Sequence, residues 1–517
     1  MTEVLETAEL TESVAANAPE MLEAVELIEA AEVVEQAGLI ETAINTLNGL
    51  LWSHLIIYAL VGAGIFFTFR LGFVQFRMFK HGVSVLKGGQ SQDASGLSSK
   101  QVFWTSMAAR VGTGNMAGVV VAITAGGPGA VFWMWAIAML GMATAFVEST
   151  LAQVYRVKEA DGQYRGGPAY YMEQGLNARW LGALFSVLLI IAFGFAFNGV
   201  QANTIADSLG SAYGFNETYV GIAIVAATAW VITGGLKKIG KVASTLVPVM
   251  ALAYLSISLV VILLNISELP GVLVAIVKSA FGMEQAAGGL MGALMAGVAR
   301  GLFSNEAGMG SAANIAASAN PNPNHPAAQG FVQMLGVFAD TIVICTATAA
   351  MVLIVGVDFG GELGGIGLLQ SALADALGSW TAYFMTFAIM LFCFTSIFAN
   401  YSYAETNLVF LTKNKVALYV FRALVLAMVM VGSVASLNIV WDFADVSMGL
   451  MALVNIAAIV ALSKVAFAVF ADYEKQLKAG KKPSFNAATV PGLEAQLVDP
   501  MWKDQAGSAS PVGAKLK

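Results

Sequence analysis

The sequence predicts an all-α polytopic membrane protein of about eleven transmembrane helices, one extra helix followed by a five-plus-five inverted repeat with two unwound helices. Three observations predict it. Of 517 residues, 58% are hydrophobic and only 11% charged, far too apolar for a set of soluble domains. Apolar runs long enough to span a bilayer recur along the chain, with Lys and Arg gathered in alternate loops between them, apart from 318–328, which holds neither. A short segment containing Arg, Asn and Gly occurs twice, in the second and seventh runs.

An acidic segment, 1–47, comes first; it contains no Lys or Arg and carries almost all of the excess behind the net charge of -7. Its Leu, Val and Ile fall at near-helical spacing among Glu and Ala, as in a loosely ordered solvated helix. A basic stretch followed by a short apolar core is missing, so a cleavable signal peptide is not expected, and 48–70 reads as the first transmembrane helix. The remaining runs lie near 101–125, 129–155, 180–203, 218–233, 243–265, 286–317, 329–357, 380–411, 417–436 and 439–465. The run 380–411 is long enough to include an extramembrane turn. Repeat 1 is therefore 101–265 and repeat 2 is 286–465, and the polar 72–100 and 466–517 are expected to be solvated.

Positive charge orients the chain. Arg70, Arg77, Lys80, Lys87 and Lys100 lie in one loop, and Arg156, Lys158, Arg165 and Arg179 in another. Lys237, Lys238, Lys241, Lys413, Lys415 and the lysines of the tail fall on the same side, while the opposite loops hold essentially only Lys278. The tail is expected in the cytoplasm and the N-terminus outside, as in a multi-pass protein of a bacterial inner membrane.

The repeat gives the helices a direction. Ala109–Gly118 lies over Ala299–Gly308 without a gap, and Ala, Arg, Asn, Ala and Gly are identical in the two. Five crossings separate them, so they run in opposite directions through the bilayer. Glycine and polar residues at mid-membrane depth survive only where water, ligand or protein satisfies the freed backbone groups. A buried Arg costs at least about 2.5 kcal/mol on insertion scales, so Arg110 and Arg300 need partners or a gating role. After Gly112–Gly114 a new half-helix begins whose free N–H groups suit a carboxylate, while the carbonyls before the break suit a cation.

Six stretches carry a family resemblance: Arg110-Val-Gly-Thr-Gly-Asn-Met-Ala-Gly-Val, Gly126-Gly-Pro-Gly-Ala-Val-Phe-Trp-Met-Trp135, Gly141-Met-Ala-Thr, Glu148, Gly166-Gly-Pro-Ala-Tyr-Tyr171 and Arg300-Gly-Leu-Phe-Ser-Asn-Glu-Ala-Gly-Met-Gly-Ser311. Over about 48–470 the chain resembles the alanine/glycine:cation symporter family. The resemblance implies a leucine-transporter-like fold and symport of alanine or glycine with sodium, occasionally with protons. It implies that Thr113, Gly114 and Asn115 bind substrate, that Gly301–Asn305 is the facing break, and that Phe303 and Ser304 line the pocket. It places sodium between Val111, Thr395 and Ser396. Arg110, Arg300, Asn305 and Glu306 are expected to be structural or gating residues, and Glu306 also a proton site. Where many members carry a Gly-Trp-Ser-Tyr-Tyr-Gly-type run, this chain reads Ala399-Asn-Tyr-Ser-Tyr-Ala404, so Asn400 replaces a bulky aromatic pocket residue.

Further intramembrane polar residues, Glu148, Gln153, Asn198, Gln201, Asn203, Asp340, Glu405 and Asp445, are functional candidates by position. Cys345 and Cys393 lie in apolar runs and read as packing residues, and His54, His81 and His325 lack metal-ligand spacing. A nucleophile–base pair, catalytic residue or Walker-type phosphate loop does not stand out, which disfavours an enzyme or an ATP-driven pump. The expected partners are a small neutral amino acid, a sodium ion and the lipid bilayer, without cofactor, nucleic acid or obligate protein partner. A proton-coupled symporter and a channel are the competing readings.

Overall fold

A computed structural model describes residues 42–44, 46–88, 96–160, 162–282, 289–356, 365–435 and 437–503. The chain separates into two units, Met1–Leu50 and Leu51–Lys517. In the first, the described residues are helical; the rest of the acidic segment lies outside them. The second unit holds the helical bundle.

Its spanning elements match the apolar runs. The first span continues through a π turn, Trp52–Ile56, into α1, Ile57–Arg70. The first broken helix consists of α2, Ser99–Arg110, and α3, Ala117–Gly126. Then come α4, Gly129–Val154, α6, Arg179–Tyr213, α7, Glu217–Ile232, and α8, Gly235–Leu264, with the short α5, Pro168–Gly175, between α4 and α6. The second broken helix is α9, Gly289–Asn305, and α10, Ser311–Ala317. It is followed by α11, Ala327–Val355, α12, Trp380–Leu411, α13, Lys415–Val434, α14, Leu437–Ala461, and α15, Ser463–Lys478. Among the described residues eight helices are long and apolar enough to cross a membrane; the 16-residue α7 and the two broken helices complete the eleven. Shorter helices, Leu269–Ala280 and Gly365–Leu377, occupy two loops. The helix α12 runs unbroken for 32 residues, so neither a turn nor a second helical segment divides 380–411: Thr386, Thr395, Ser402 and Thr406 donate to carbonyls three or four residues back and stay within the helix.

Local chemistry sets the ends that matter. Ser98 and Gln101 form a capping box, Ser98 Oγ accepting from Gln101 N at 3.2 Å and Gln101 Oε1 from Ser98 N at 3.0 Å, which starts α2. Two short strands, β1, Leu97–Ser98, and β4, Ala319–Asn320, pair in parallel, while β2, Val157–Lys158, and β3, Tyr164–Arg165, form a hairpin after α4. Because β1 precedes the first broken helix and β4 follows the second, that pairing brings the start of one to the end of the other. At the opposite end Gly126 packs on Ala293. The two broken helices are therefore antiparallel, as the repeat predicts.

Small residues permit the close helix approach. Gly432 of α13 rests on the backbone of Gly199 in α6, and Gly297 of α9 on Ala130 of α4. Large apolar side chains such as Trp180, Tyr219, Leu252, Leu264 and Tyr419 are exposed on the outer helices, where lipid is their solvent. The segment after α14 departs from expectation: instead of a solvated tail, it buries Tyr473, Phe485, Val490, Leu493, Leu497 and Trp502. Its apolar residues are too widely spaced to register as a hydrophobic run.

Gly432→Val forces a side chain into the Gly199 backbone. The expected cost is about 1–3 kcal/mol, read as a lower melting temperature of the detergent-solubilised protein by intrinsic fluorescence.

Candidate functional site

The first break is a two-residue interruption followed by a tight turn. Arg110 ends α2, Val111 (φ -81°, ψ 86°) and Gly112 (φ -143°, ψ -143°) leave the helix, and Thr113–Asn115 form one 3-10 turn before α3. The freed groups find side chains. Gln201 Oε1 on α6 accepts from Thr113 N at 3.0 Å and from Thr113 Oγ1 at 2.9 Å. Gly112 N donates to Asn115 Oδ1 at 3.1 Å, and Thr348 Oγ1 of α11 donates to Asn115 O at 2.7 Å. Ser396 Oγ on α12 donates to Ala108 O at 2.8 Å and lies 3.5 Å from Val111 O. A Cβ on Gly112 would strike Ser396 and Gln201, and one on Gly114 would lie 2.9 Å from Phe303 Cδ1. Both glycines are there because neighbouring side chains come against the backbone.

The second break falls one step later than the sequence suggests. Gly301–Asn305 is helical and belongs to α9; the chain unwinds over Glu306–Gly310, where Glu306 (φ 59°), Gly308 (φ 95°) and Gly310 (φ 78°) are left-handed. The glycines that accept this backbone lie after Asn305 and not before it. Around it, Glu148 Oε2 of α4 accepts from Gly310 N at 3.1 Å and from Asn455 Nδ2 at 3.0 Å. Asn455 Nδ2 also donates to Gly308 O at 2.9 Å, and Tyr171 donates to Asn455 Oδ1. Ser311 Oγ donates to Glu306 Oε2 at 2.6 Å.

Two links join the breaks. Arg110, 1% exposed, donates through Nε to Asn305 O at 2.9 Å and through Nη1 to Gln333 Oε1 of α11 at 3.1 Å. Asn115 Nδ2 donates to Asp340 Oδ1 at 2.7 Å and approaches Ser304 Oγ at 3.1 Å, while Ser304 Oγ and Thr341 Oγ1 donate to Asp340 Oδ2 at 2.6 and 2.8 Å. Asp340 lies in a π segment of α11, Phe338–Cys345. Phe303 stacks on Phe197 (ring centroids 4.4 Å) and packs on Trp441 (4.8 Å). Arg300 pairs with Asp445 and lies 4.7 Å from the Trp441 ring, tying α9 to α14.

The structure thus brings Thr113, Gly114, Asn115, Phe303, Ser304, Asn305, Arg110 and Ser396 into one neighbourhood. Thr395 Oγ1 bonds Phe392 O, one turn back, at 2.9 Å and faces Met250. Asn400, one turn beyond Ser396 and fully buried, has no hydrogen-bond partner for either side-chain atom among the described residues. Gln201, Glu148 and Asp340 carry more of the network than their sequence context reveals, and Gln333, Thr348 and Asn455 were not singled out. The signal available for them was a polar residue in an apolar run. The cysteines are also here: Cys393 Sγ lies 3.2 Å from Thr113 Oγ1, and Cys345 Sγ 3.2 Å from Ser304 Oγ.

A model of the sodium:alanine symporter family matches residues 37–487. The chain belongs to the sodium:alanine symporter family. It is 51% identical to the probable sodium/glutamine symporter GlnT of Bacillus subtilis over 86% of this chain and 93% of that protein. It is 48% identical to the amino-acid carrier protein AlsT of the same organism, over 90% and 98%. The sodium/alanine symporter AgcS of Methanococcus maripaludis is 37% identical over 82% and 94%. As a member of this family the chain is a multi-pass membrane transporter and not an enzyme.

Replacing Arg110 by Met removes its bond to Asn305 O at the second break and its bond to Gln333 of α11. Leaving their buried acceptors unpaired is expected to cost about 3–5 kcal/mol, seen as loss of thermal stability and of transport. Arg300→Met leaves the buried Asp445 carboxyl without its partner, and a loss of stability of comparable size is expected.

Proposed function

We propose that this family member imports a small neutral amino acid together with sodium, by alternating access around the paired breaks. The observation that carries the reading is a charge imbalance. Glu148, Glu306 and Asp340 are all essentially inaccessible and lie within electrostatic reach of the equally buried Arg110. Three carboxyl groups around one guanidinium in a low-dielectric core call for a further cation or for protons. A site that takes up cations in this way couples naturally to an ion gradient.

The first break supplies the ligand chemistry. Gln201 Oε1 occupies the position from which a substrate carboxylate would accept from Thr113 N and Oγ1. Val111 O and the hydroxyls of Ser396 and Thr395 are the proposed sodium ligands. Ser396 stands near Val111 O, and Thr395 has to turn away from Phe392 O to join it. Phe303, packed on Gly114, walls the side-chain pocket. The Lys- and Arg-rich loops are assigned to the cytoplasm, with the N-terminus outside. One sodium crossing about 100 mV contributes about 2.3 kcal/mol, and a roughly tenfold gradient adds about 1.4, enough for several-hundredfold accumulation.

Asn400 favours a second reading of the substrate. An unpartnered buried carboxamide offers one donor and one acceptor side by side, and leaving each empty costs about 1–3 kcal/mol. A substrate with an amide side chain satisfies both, and GlnT, the relative named for glutamine, has 51% identity.

Uptake into proteoliposomes, with sodium and pH gradients imposed separately, tests the reading. Sodium-driven accumulation of alanine or glutamine is expected. Uptake that ignores sodium and collapses with a protonophore would move the coupling to a buried carboxyl such as Glu306, and failure to accumulate either amino acid under either gradient would reject symport. Asn400→Leu is expected to weaken glutamine about tenfold relative to alanine; an unchanged ratio returns the substrate to alanine alone.

A further inference from the structure

The segment after α15 is built into the end of the molecule where β1 meets β4. Gln476 of α15 and Ser484 exchange two hydrogen bonds, at 2.8 and 2.9 Å, which turns the chain back. Phe485 N then donates to Asn324 O at 3.0 Å, in the loop between α10 and α11. Tyr155 Oη donates to Gln496 Oε1 at 2.6 Å, Val498 N to Gln174 Oε1 of α5 at 3.1 Å, and Lys158 N to Asp499 Oδ2 at 2.8 Å. Trp502, 3% exposed, ends the strap by donating Nε1–H to Gln153 O at 2.9 Å. One strap thereby fastens α4, the β2–β3 hairpin, α5, α15 and the α10–α11 loop.

Its last residues reach the half-helices through Arg156. This guanidinium donates to Ala319 O, in β4, and Gln153 Nε2 donates to the same carbonyl at 3.2 Å. Arg156 lies between two rings, 4.4 Å from the centroid of Tyr164 and 5.0 Å from that of Trp502, with Met501 Sδ 2.8 Å from Nη2. Ala319 pairs with Leu97, which leads into α2. The sequence of contacts Trp502, Arg156, Ala319, Leu97 therefore joins the strap to the same-side ends of both broken helices. The family match ends at residue 487, so Gln496, Asp499, Met501 and Trp502 lie beyond it.

We propose that residues 484–502 are a releasable clamp that holds this end of the transporter closed. The clamp rests on the alternating-access reading above: opening toward this side requires the outer ends of α2 and α10 to part, and they part only when Leu97 leaves Ala319. Arg156 and Gln153 hold Ala319, and Trp502 and Met501 hold Arg156, so the strap sets how readily that end opens. The strap is held by hydrogen bonds, a stacked cation and the buried side chains of Phe485, Val490, Leu493, Leu497 and Trp502, and it can detach without unfolding the bundle because its residues supply no part of the two breaks.

The test uses full-length protein in proteoliposomes with Leu97→Cys as reporter, since both native cysteines are buried. Trp502→Ala removes the indole bond and the stack, and is expected to raise maleimide labelling of Leu97→Cys about fivefold. In a Leu97→Cys/Ala319→Cys protein it should lower oxidative cross-linking to match. Trp502→Phe keeps a ring but not the N–H, and should fall between. Labelling and cross-linking that stay at the parental level in Trp502→Ala, and in a chain ended after Lys482, overturn the clamp. Amino-acid counterflow on the unaltered protein judges transport separately: its absence rejects the symporter, whereas unchanged labelling with intact counterflow rejects only the clamp.

Discussion

The guanidinium of Arg110 holds the centre of the molecule in place. A fully buried cation is costly in a membrane; here Nε meets the last carbonyl of α9 and Nη1 the amide of Gln333, while Nη2 has no hydrogen-bond partner among the described residues. The carbonyl it takes is the one that Asn305 presents just before the chain unwinds. The end of the first half-helix thus caps the other helix where helical bonding fails. Remove the guanidinium and the second break loses an acceptor's partner, while the carboxyl groups around it lose their one shared counter-charge. The same group makes the breaks stable and sets the electrostatic demand that a coupling ion would meet.

Around that tie the backbone is deliberately irregular. Asp340 comes from a π segment, and a second π segment, Ile190–Ala196, ends immediately before Phe197, which stacks on Phe303. A π turn widens the helix and shifts the side chains that follow it, and such turns concentrate at functional sites. On α11 it coincides with the carboxylate that accepts from Asn115 of one break and Ser304 beside the other. The neutral donors Asn, Ser and Thr orient that carboxylate without neutralising it.

The architecture was open to sequence reasoning because lipid punishes exceptions. Eleven runs, Lys and Arg in all but one of the alternate loops and a repeated Arg-x-x-x-x-Asn-x-Ala-Gly left little freedom, and the β1–β4 pairing agrees with the antiparallel direction that parity requires. The register of the second break was not legible. Superposing Arg300 on Arg110 transfers the position of unwinding from a segment whose glycines precede Asn115 to one whose glycines follow Asn305. Partners such as Gln333 and Asn455 were hidden for a different reason: one amide in an apolar helix looks alike whether it bonds its own carbonyls or, as these do, a group on another helix.

The two breaks are consequently unequal. In the second, Glu148 and Asn455 grip Gly310 N and Gly308 O, and the left-handed Glu306 is held by Ser311; a non-glycine residue in that conformation costs about 1–2 kcal/mol, which the surrounding bonds must offset. Its partners come from several helices and from its own backbone, so releasing it means dismantling them together. In the first break, Thr113 is held largely by the side chain of Gln201 and Val111 O faces the hydroxyl of Ser396, groups that a rotamer change can withdraw. An incoming carboxylate or cation can replace those partners one for one, without creating an unmet backbone group in hydrocarbon. In the proposed mechanism the rigid break fixes the geometry and the adaptable one exchanges partners, a division of labour that two motifs sharing half their residues do not disclose.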